Sequence, residues 1–206
     1  MAEQLGARFF ARDVVDVARE LIGMTLFRDG VGLRITETEA YKWPPDTACH
    51  AKAGITERTA PLFGPPGRAY VYLCYGIHNL LNLVTGEDGQ AQAVLVRACA
   101  PLQGLDIVAE RRGGKRGPSA LDGPGKVGQA LALDTGWSHH DVTRRGGLEV
   151  RRGEPPRGLL VGPRIGIDYA LEEHRVLPWR FAEADCRWVS HRKRLRPLGT
   201  VATMPA

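Results

Sequence analysis

The chain has 206 residues, 43% hydrophobic and 25% charged, enough for one globular domain with a sizeable core. A formal charge of +5, carried mostly by arginine, permits a nucleic-acid partner without requiring one. No apolar run approaches a membrane span, the start M-A-E-Q-L-G lacks a signal-peptide core, and Cys49, Cys74, Cys99 and Cys186 are too scattered for a disulfide framework or metal cluster, so reduced thiols in a cytoplasmic protein are expected.

Asp13 is placed to cap a helix in which Val14, Val17, Ala18, Leu21 and Ile22 recur at helical spacing, with Gly23 beyond its end. Thr25–Arg28 predicts a strand, Asp29-Gly30 a tight turn and Leu33–Glu39 the return strand. Leu33 and Ile35 alternate with Arg34 and Thr36, and continuing that period of two puts Glu37 and Glu39 on the apolar face of Ile35. A carboxylate there is costly unless it is paired or used; a solvated strand end is the simpler reading of the pattern alone. Residues 42–66, rich in Pro, Gly, Thr and Ala, have no periodicity and are long for a connection, a length associated with function.

Arg68–Cys74 and Ile77–Val84 predict a hairpin turning at Tyr75-Gly76, and Ala93–Ala98 a further strand after the Gly86–Gly89 turn. That strand is apolar on both faces except for Arg97, which therefore calls for an acidic partner. Leu102–Arg112 reads as a helix, then Arg111–Gly117 as a basic loop, either a solvated turn or a phosphate contact. Lys126–Leu133 reads as a helix and Leu159–Val161 and Arg164–Ile167 as short strands, with no repeat and no domain boundary. Gly123, Gly125 and Gly128 match a dinucleotide fingerprint, but a loop stands where the fingerprint needs a strand. Ala120 and Val127 likewise defeat a phosphate loop at Gly125-Lys126, and Cys49-His50 lacks two further metal ligands.

What remains is Glu39 at a strand end, Tyr41 and His50 beside it, a hairpin carrying Tyr70, Tyr72, Tyr75 and Asn82, and Arg97. Aromatic faces, an amide and a basic protein suit a planar heterocycle. The blocks T-E-T-E-A-Y, A-C-H, L-F-G-P-P-G-R-A-Y-V-Y-L-C-Y-G, N-L-L-N, V-L-V-R-A, G-P-G-K-V-G-Q-A-L and R-I-G-I run in order along nearly the whole chain. Together they resemble the alkyladenine (3-methyladenine) DNA glycosylase family closely. The resemblance implies an α+β fold: a single domain over residues 1–206, with a curved antiparallel β-sheet flanked by helices and a protruding hairpin for DNA intercalation. The last ~10 residues read as a flexible tail.

The resemblance also implies roles. Glu39 would be the general base for the water that attacks C1′ of a flipped nucleotide, and Arg97 would hold that water and the carboxylate. Ile165 would offer its backbone carbonyl to the same water. Tyr41 and His50 would line one side of the extruded base and Tyr72 the other, Tyr75 would fill the gap in the duplex, and Asn82 would disfavour the amine of normal guanine. No cofactor or metal is implied; the expected partner is double-stranded DNA containing damaged purines, bound by a monomer. No lysine occupies a nucleophile motif, which points to a glycosylase without lyase activity. Lys42-Trp43, where glycine is usual at the second position, and Leu62, where methionine is common, depart from the family pattern and bear on substrate range. Two rivals remain: an O-glycoside hydrolase using Glu37 with Glu39, although such pairs must flank the bond at roughly 5–5.5 or 6.5–9.5 Å, and a binding module that lacks the chemistry.

Overall fold

The computed structural model describes residues 3–199. A short helix α1 (Ala7–Phe10) leads into α2 (Val14–Glu20), and Asp13 caps α2 by accepting from the Val15 N–H at 2.8 Å. The strands β1 (Thr25–Arg28) and β2 (Val31–Trp43) follow, joined at Asp29-Gly30, where both residues have positive φ as a two-residue hairpin turn requires. Next come β3 (Ala69–Cys74), β4 (His78–Val84), β5 (Ala91–Gln103), α3 (Leu105–Arg111), α4 (Pro124–Ala130), β6 (Glu149–Arg151), β7 (Leu159–Gly162), α5 (Glu172–Arg175), β8 (Arg180–Glu183) and β9 (Arg196–Pro197). Among the described residues all strand pairings are antiparallel, in the order β3-β4-β5-β2-β8-β7-β9, with β1 beside β2 and β6 beside β1. The fold is α+β, one large open antiparallel sheet with few helices, and β2 is its spine.

Several elements differ from their expected bounds. β2 runs on through Tyr41 to Trp43 and stops at Pro44-Pro45, which have no N–H to continue a ladder. Residues 164–167 are not a strand but a bend after β7, because Arg164 turns inward to bond Asp46 and Gly166 takes φ +73°. The loop over 42–66 contains two short 3-10 turns, His50–Ala53 and Ala60–Phe63. The expected C-terminal tail falls mainly on residues 200–206, outside the described residues; just before them Arg196 and Pro197 pair with β7.

The largest correction concerns the face of the two glutamates. Between β2 and β5 the register passes from Ile35↔Cys99 to Glu37↔Ala98 and then to Thr38↔Val96. Thr36 is the extra residue on β2 and Arg97 the extra residue on β5: two bulges that cancel within a few residues. Leu33, Ile35 and Ala40 stay in the main core, and Thr38 donates to the Ala18 carbonyl of α2 at 2.7 Å. Glu37, Glu39 and Tyr41 are thereby turned to the opposite face from Ile35. A strict period of two cannot foresee this, since one inserted residue flips every side chain after it.

Helix α4 packs against β4 at very short range. A Cβ on Gly128 would stand 1.9 Å from the Asn79 carbonyl oxygen, and one on Gly125 would meet the His78 side chain at 2.8 Å. The glycine spacing that imitates a nucleotide fingerprint therefore serves helix-to-hairpin contact. Gly128→Ala is expected to cost about 1–3 kcal/mol in denaturant unfolding, because backbone must move. Gly125→Ala should cost much less, since the exposed His78 side chain can swing away.

Candidate active site

One row of opposed residues crosses five strands: Tyr70 of β3 faces Asn82 of β4, Asn82 faces Leu95 of β5, Leu95 faces Glu39 of β2, and Glu39 faces Arg180 of β8. Directly opposed residues of an antiparallel sheet share a face, so side chains far apart in the chain meet on one surface of the sheet.

Glu39 is fully buried and receives three hydrogen bonds. Tyr41 Oη donates to Oε2 at 2.8 Å and Arg97 Nη1 to the same oxygen at 3.2 Å, while the Ile165 N–H donates to Oε1 at 2.8 Å. An environment of donors only suits an ionised carboxylate, and Oε1 retains a lone pair. Burial and then the Glu39 charge push the Tyr41 hydroxyl well above its ordinary range, so it remains a donor. Ile165 is thus tied to Glu39 through its N–H.

Glu37 has a different role. Its Oε1 accepts from Arg97 Nε, Arg180 Nη1 and Ser190 Oγ at 3.1, 3.1 and 2.8 Å, and its Oε2 from the Ser190 N–H at 2.6 Å. A carboxylate so fully engaged holds arginines in place and is not free to serve a glycosidic bond, which removes the basis for a Glu37–Glu39 pair. Burial disfavours the charged Arg97, but Glu39 and Glu37 more than compensate, raising its pKa. For Arg180 burial prevails and the pKa falls.

In front of Glu39 lies a cavity of about 240 Å³. Tyr41, His50, Tyr72, Tyr75, Asn82, Arg97 and Ile165 all line it; Glu39 stands behind them. The volume falls below the roughly 300–1,000 Å³ of drug-sized pockets and fits one small planar group. His50 and Tyr72, expected on opposite sides, instead meet edge to face with centroids 4.6 Å apart and form one wall. Tyr70 extends that wall, its hydroxyl 3.0 Å from His50 Nδ1. Asn82 Nδ2 donates to the carbonyls of Tyr70 and Leu80 at 3.1 and 3.4 Å, which fixes its amide in the floor.

Tyr75 and Gly76 turn the β3–β4 hairpin with φ of +50° and +70°. Tyr75 is 89% exposed, with Leu73 and Ile77 also exposed nearby. A bulky, solvent-facing residue in the left-handed region is disfavoured, so neither turn chemistry nor burial accounts for it. Lys42 is turned away from the cavity and bonds Asp13 at 2.8 Å, and Trp43 packs beside Cys49 and Leu62.

Sequence reasoning missed one organising pair. Arg164 is wholly buried, bonds both Asp46 oxygens, the Ala40 carbonyl and the His174 carbonyl, and stacks 4.6 Å from the Tyr41 ring. It joins the loop carrying His50 to the bend carrying Ile165. The rule applied to Arg97, that an arginine in an apolar run needs an acid, would have found Arg164 and Arg180 too. Among the described residues no group of three or more His, Cys, Asp or Glu is gathered as metal ligands would be, and no helix is long and apolar enough to cross a membrane.

The methylpurine-DNA glycosylase family model matches residues 8–187. A Nitrosococcus oceani protein classed as a 3-methyladenine DNA glycosylase is 60% identical over 197 residues, covering 96% of this chain and 98% of the relative. The DNA-3-methyladenine glycosylase of Arabidopsis thaliana is 54% identical over 193 residues, covering 92% of this chain and 76% of its own. A Methanocella arvoryzae protein of the same class is 43% identical over 189 residues, covering 89% of this chain and 94% of the relative.

Burial, reinforced by the charges of Arg58 and Lys52, lowers the His50 pKa from 6.5 to about 4. The unfolded chain then takes up a proton that the native state refuses. The stability contributed by the neutral ring is complete above pH 6.5 and is lost as the pH falls toward about 4. An NMR titration of the imidazole should show its midpoint near 4, and removing the ring (His50→Phe) should flatten the fall in stability over that window.

Proposed function

The chain belongs to the methylpurine-DNA glycosylase family and is a hydrolase of N-glycosyl bonds in DNA repair; from this premise we propose that it excises alkylated or deaminated purines by a Glu39-activated water. What carries the reading is the buried Glu39 carboxylate, held by Tyr41, Arg97 and Ile165 directly behind an aromatic cavity.

The damaged purine leaves the duplex and enters the cavity. Extrusion costs a few kcal/mol, least for a damaged or mispaired base, and stacking on aromatic rings returns roughly 1–3 kcal/mol. Tyr41 and the His50–Tyr72 wall supply the aromatic faces, and His50 stays neutral, so it adds no charge against a cationic N3- or N7-alkylpurine. A water at the remaining lone pair of Glu39 Oε1 gives its proton to the carboxylate as its oxygen bonds C1′. The C1′–N bond breaks and the purine takes the bonding pair: an N3- or N7-alkylpurine, a cation when bound, leaves neutral, while uncharged hypoxanthine or ethenoadenine leaves as an anion that solvent water protonates. Asn82 in the rigid floor restricts which exocyclic groups fit, and Tyr75 occupies the space left in the stack. Among the described residues no lysine lines the cavity, which supports hydrolysis without strand cleavage. In this reading the substrates are purines of the 3-methyladenine, 7-methylguanine, hypoxanthine and ethenoadenine class, and the protein works as a monomer on cytoplasmic or nucleoid DNA.

Glu39→Gln should bind lesion-bearing duplex but lose about 10²–10⁴-fold in base release, measured as alkali-labile sites in single turnover. Wild-type rates in that variant would refute the base, and strand breaks without alkali would refute the monofunctional assignment. Tyr75→Gly should relieve backbone strain and fold at least as stably, yet weaken lesion-duplex affinity about 5–150-fold, the worth of one stacked ring.

A further inference from the structure

Two cations flank the cavity on the loop after β2 and have no part in the chemistry above. Lys52 and Arg58 are both exposed, and each sits against a tyrosine that lines the cavity. Lys52 Nζ lies 4.7 Å from the Tyr169 ring centroid, and the Arg58 guanidinium 5.3 Å from that of Tyr72. Such seats draw each cation toward the ring face. Most cations around them are neutralised: Arg97, Arg164, Lys42 and Arg68 all have carboxylate partners. Among the described residues neither Lys52 nor Arg58 has one within 4.0 Å, and Lys52 donates only to the Thr47 carbonyl. Both charges are felt at the cavity, since they add to burial in lowering the His50 pKa.

A groove leads away from this place. It lies on the outer side of β3, between Arg58 and Pro61 on one bank and Ser138 and His139 on the other, and Tyr72 separates it from the cavity. Among the described residues its one carboxylate is Glu57, which makes no ion pair with Arg58. Exposed Leu73, two residues from Tyr75 at the hairpin tip, also lines the groove.

We infer that Arg58 and Lys52 are phosphate-binding residues that grip the backbone on either side of the flipped nucleotide, with Arg58 directing the lesion strand along the groove outside Tyr72. The inference rests on the glycosylase reading and deepens it. Two cations without a carboxylate partner among the described residues stand against two tyrosines of the cavity wall, and a flipped nucleotide presents an anion on each side of its sugar. A grip of this kind reads no sequence and applies to damaged and intact DNA alike.

The test is salt dependence of binding. Duplexes with and without one hypoxanthine are titrated with the full-length protein and with Arg58→Gln, Arg58→Lys and Lys52→Gln, after thermal unfolding shows each variant folded. Each phosphate released from its cation should make the slope of log K against log salt shallower by about 0.9. Arg58→Gln and Lys52→Gln should each show that change on both duplexes, with about 3–10-fold weaker binding at low salt, and Arg58→Lys should keep the native slope. Native slopes in both glutamine variants would overturn the inference and reduce the cations to wall supports. An affinity loss confined to lesion DNA with native slopes would overturn it too, because it would place the residues on the base and not on the phosphates. Neither result touches the Glu39 mechanism, which stands or falls on base release.

Discussion

Everything at this site depends on Arg97 standing between two buried glutamates. Its Nε binds Glu37 and its Nη1 binds Glu39, in a region where an unpaired charge would cost several kcal/mol. With Arg180 also on Glu37, two carboxylates meet two guanidiniums and the buried charge balances. Such a cluster gains little over a well-packed apolar core, and losing one member is severe. Its benefit is positional: Glu37 Oε1 holds both arginines, and Arg97 so held reaches Glu39 through Oε2 only, leaving Oε1 to the Ile165 N–H and one further donor.

The bulges are what make that arrangement possible. Thr36 and Arg97 are the extra residues on adjoining strands, and between them they flip the acidic end of β2 away from the α2 side without shifting the ladder beyond. The strand can therefore feed the hydrophobic core through Ile35 and Ala40 and the cavity through Glu39 and Tyr41. One strand serves two environments because its alternation is broken once.

A second buried ion pair ties the outlying segments to this frame. Arg164 and Asp46 bring together the loop of His50 and the bend of Ile165, and the guanidinium also backs the ring of Tyr41. Three long-separated segments thus hold a single carboxylate and a single wall. The hairpin tip is the opposite case, with Tyr75 strained and almost wholly exposed. Ion-paired placement within thus contrasts with an exposed aromatic tip at the edge.

Much of this was legible in the residues. Asp13 and its apolar repeat specified α2, Tyr75-Gly76 specified the hairpin turn, and Arg97 announced a buried acid, because capping, turn geometry and desolvation act locally or on one residue. The motif blocks marked the family, and with it the cavity residues. The tertiary structure alone decided which carboxylate is which. Glu37 and Glu39 are two places apart and chemically alike, and only the partners brought by β8, the Ser190 segment and the Ile165 bend tie one to two arginines and Ser190 and set the other behind the cavity wall. It alone decided their face, since a bulge is a property of two paired strands and neither strand encodes it by itself. It also put His50 against Tyr72, because side-chain contacts between a loop and a sheet follow from packing, which local sequence periodicity does not record.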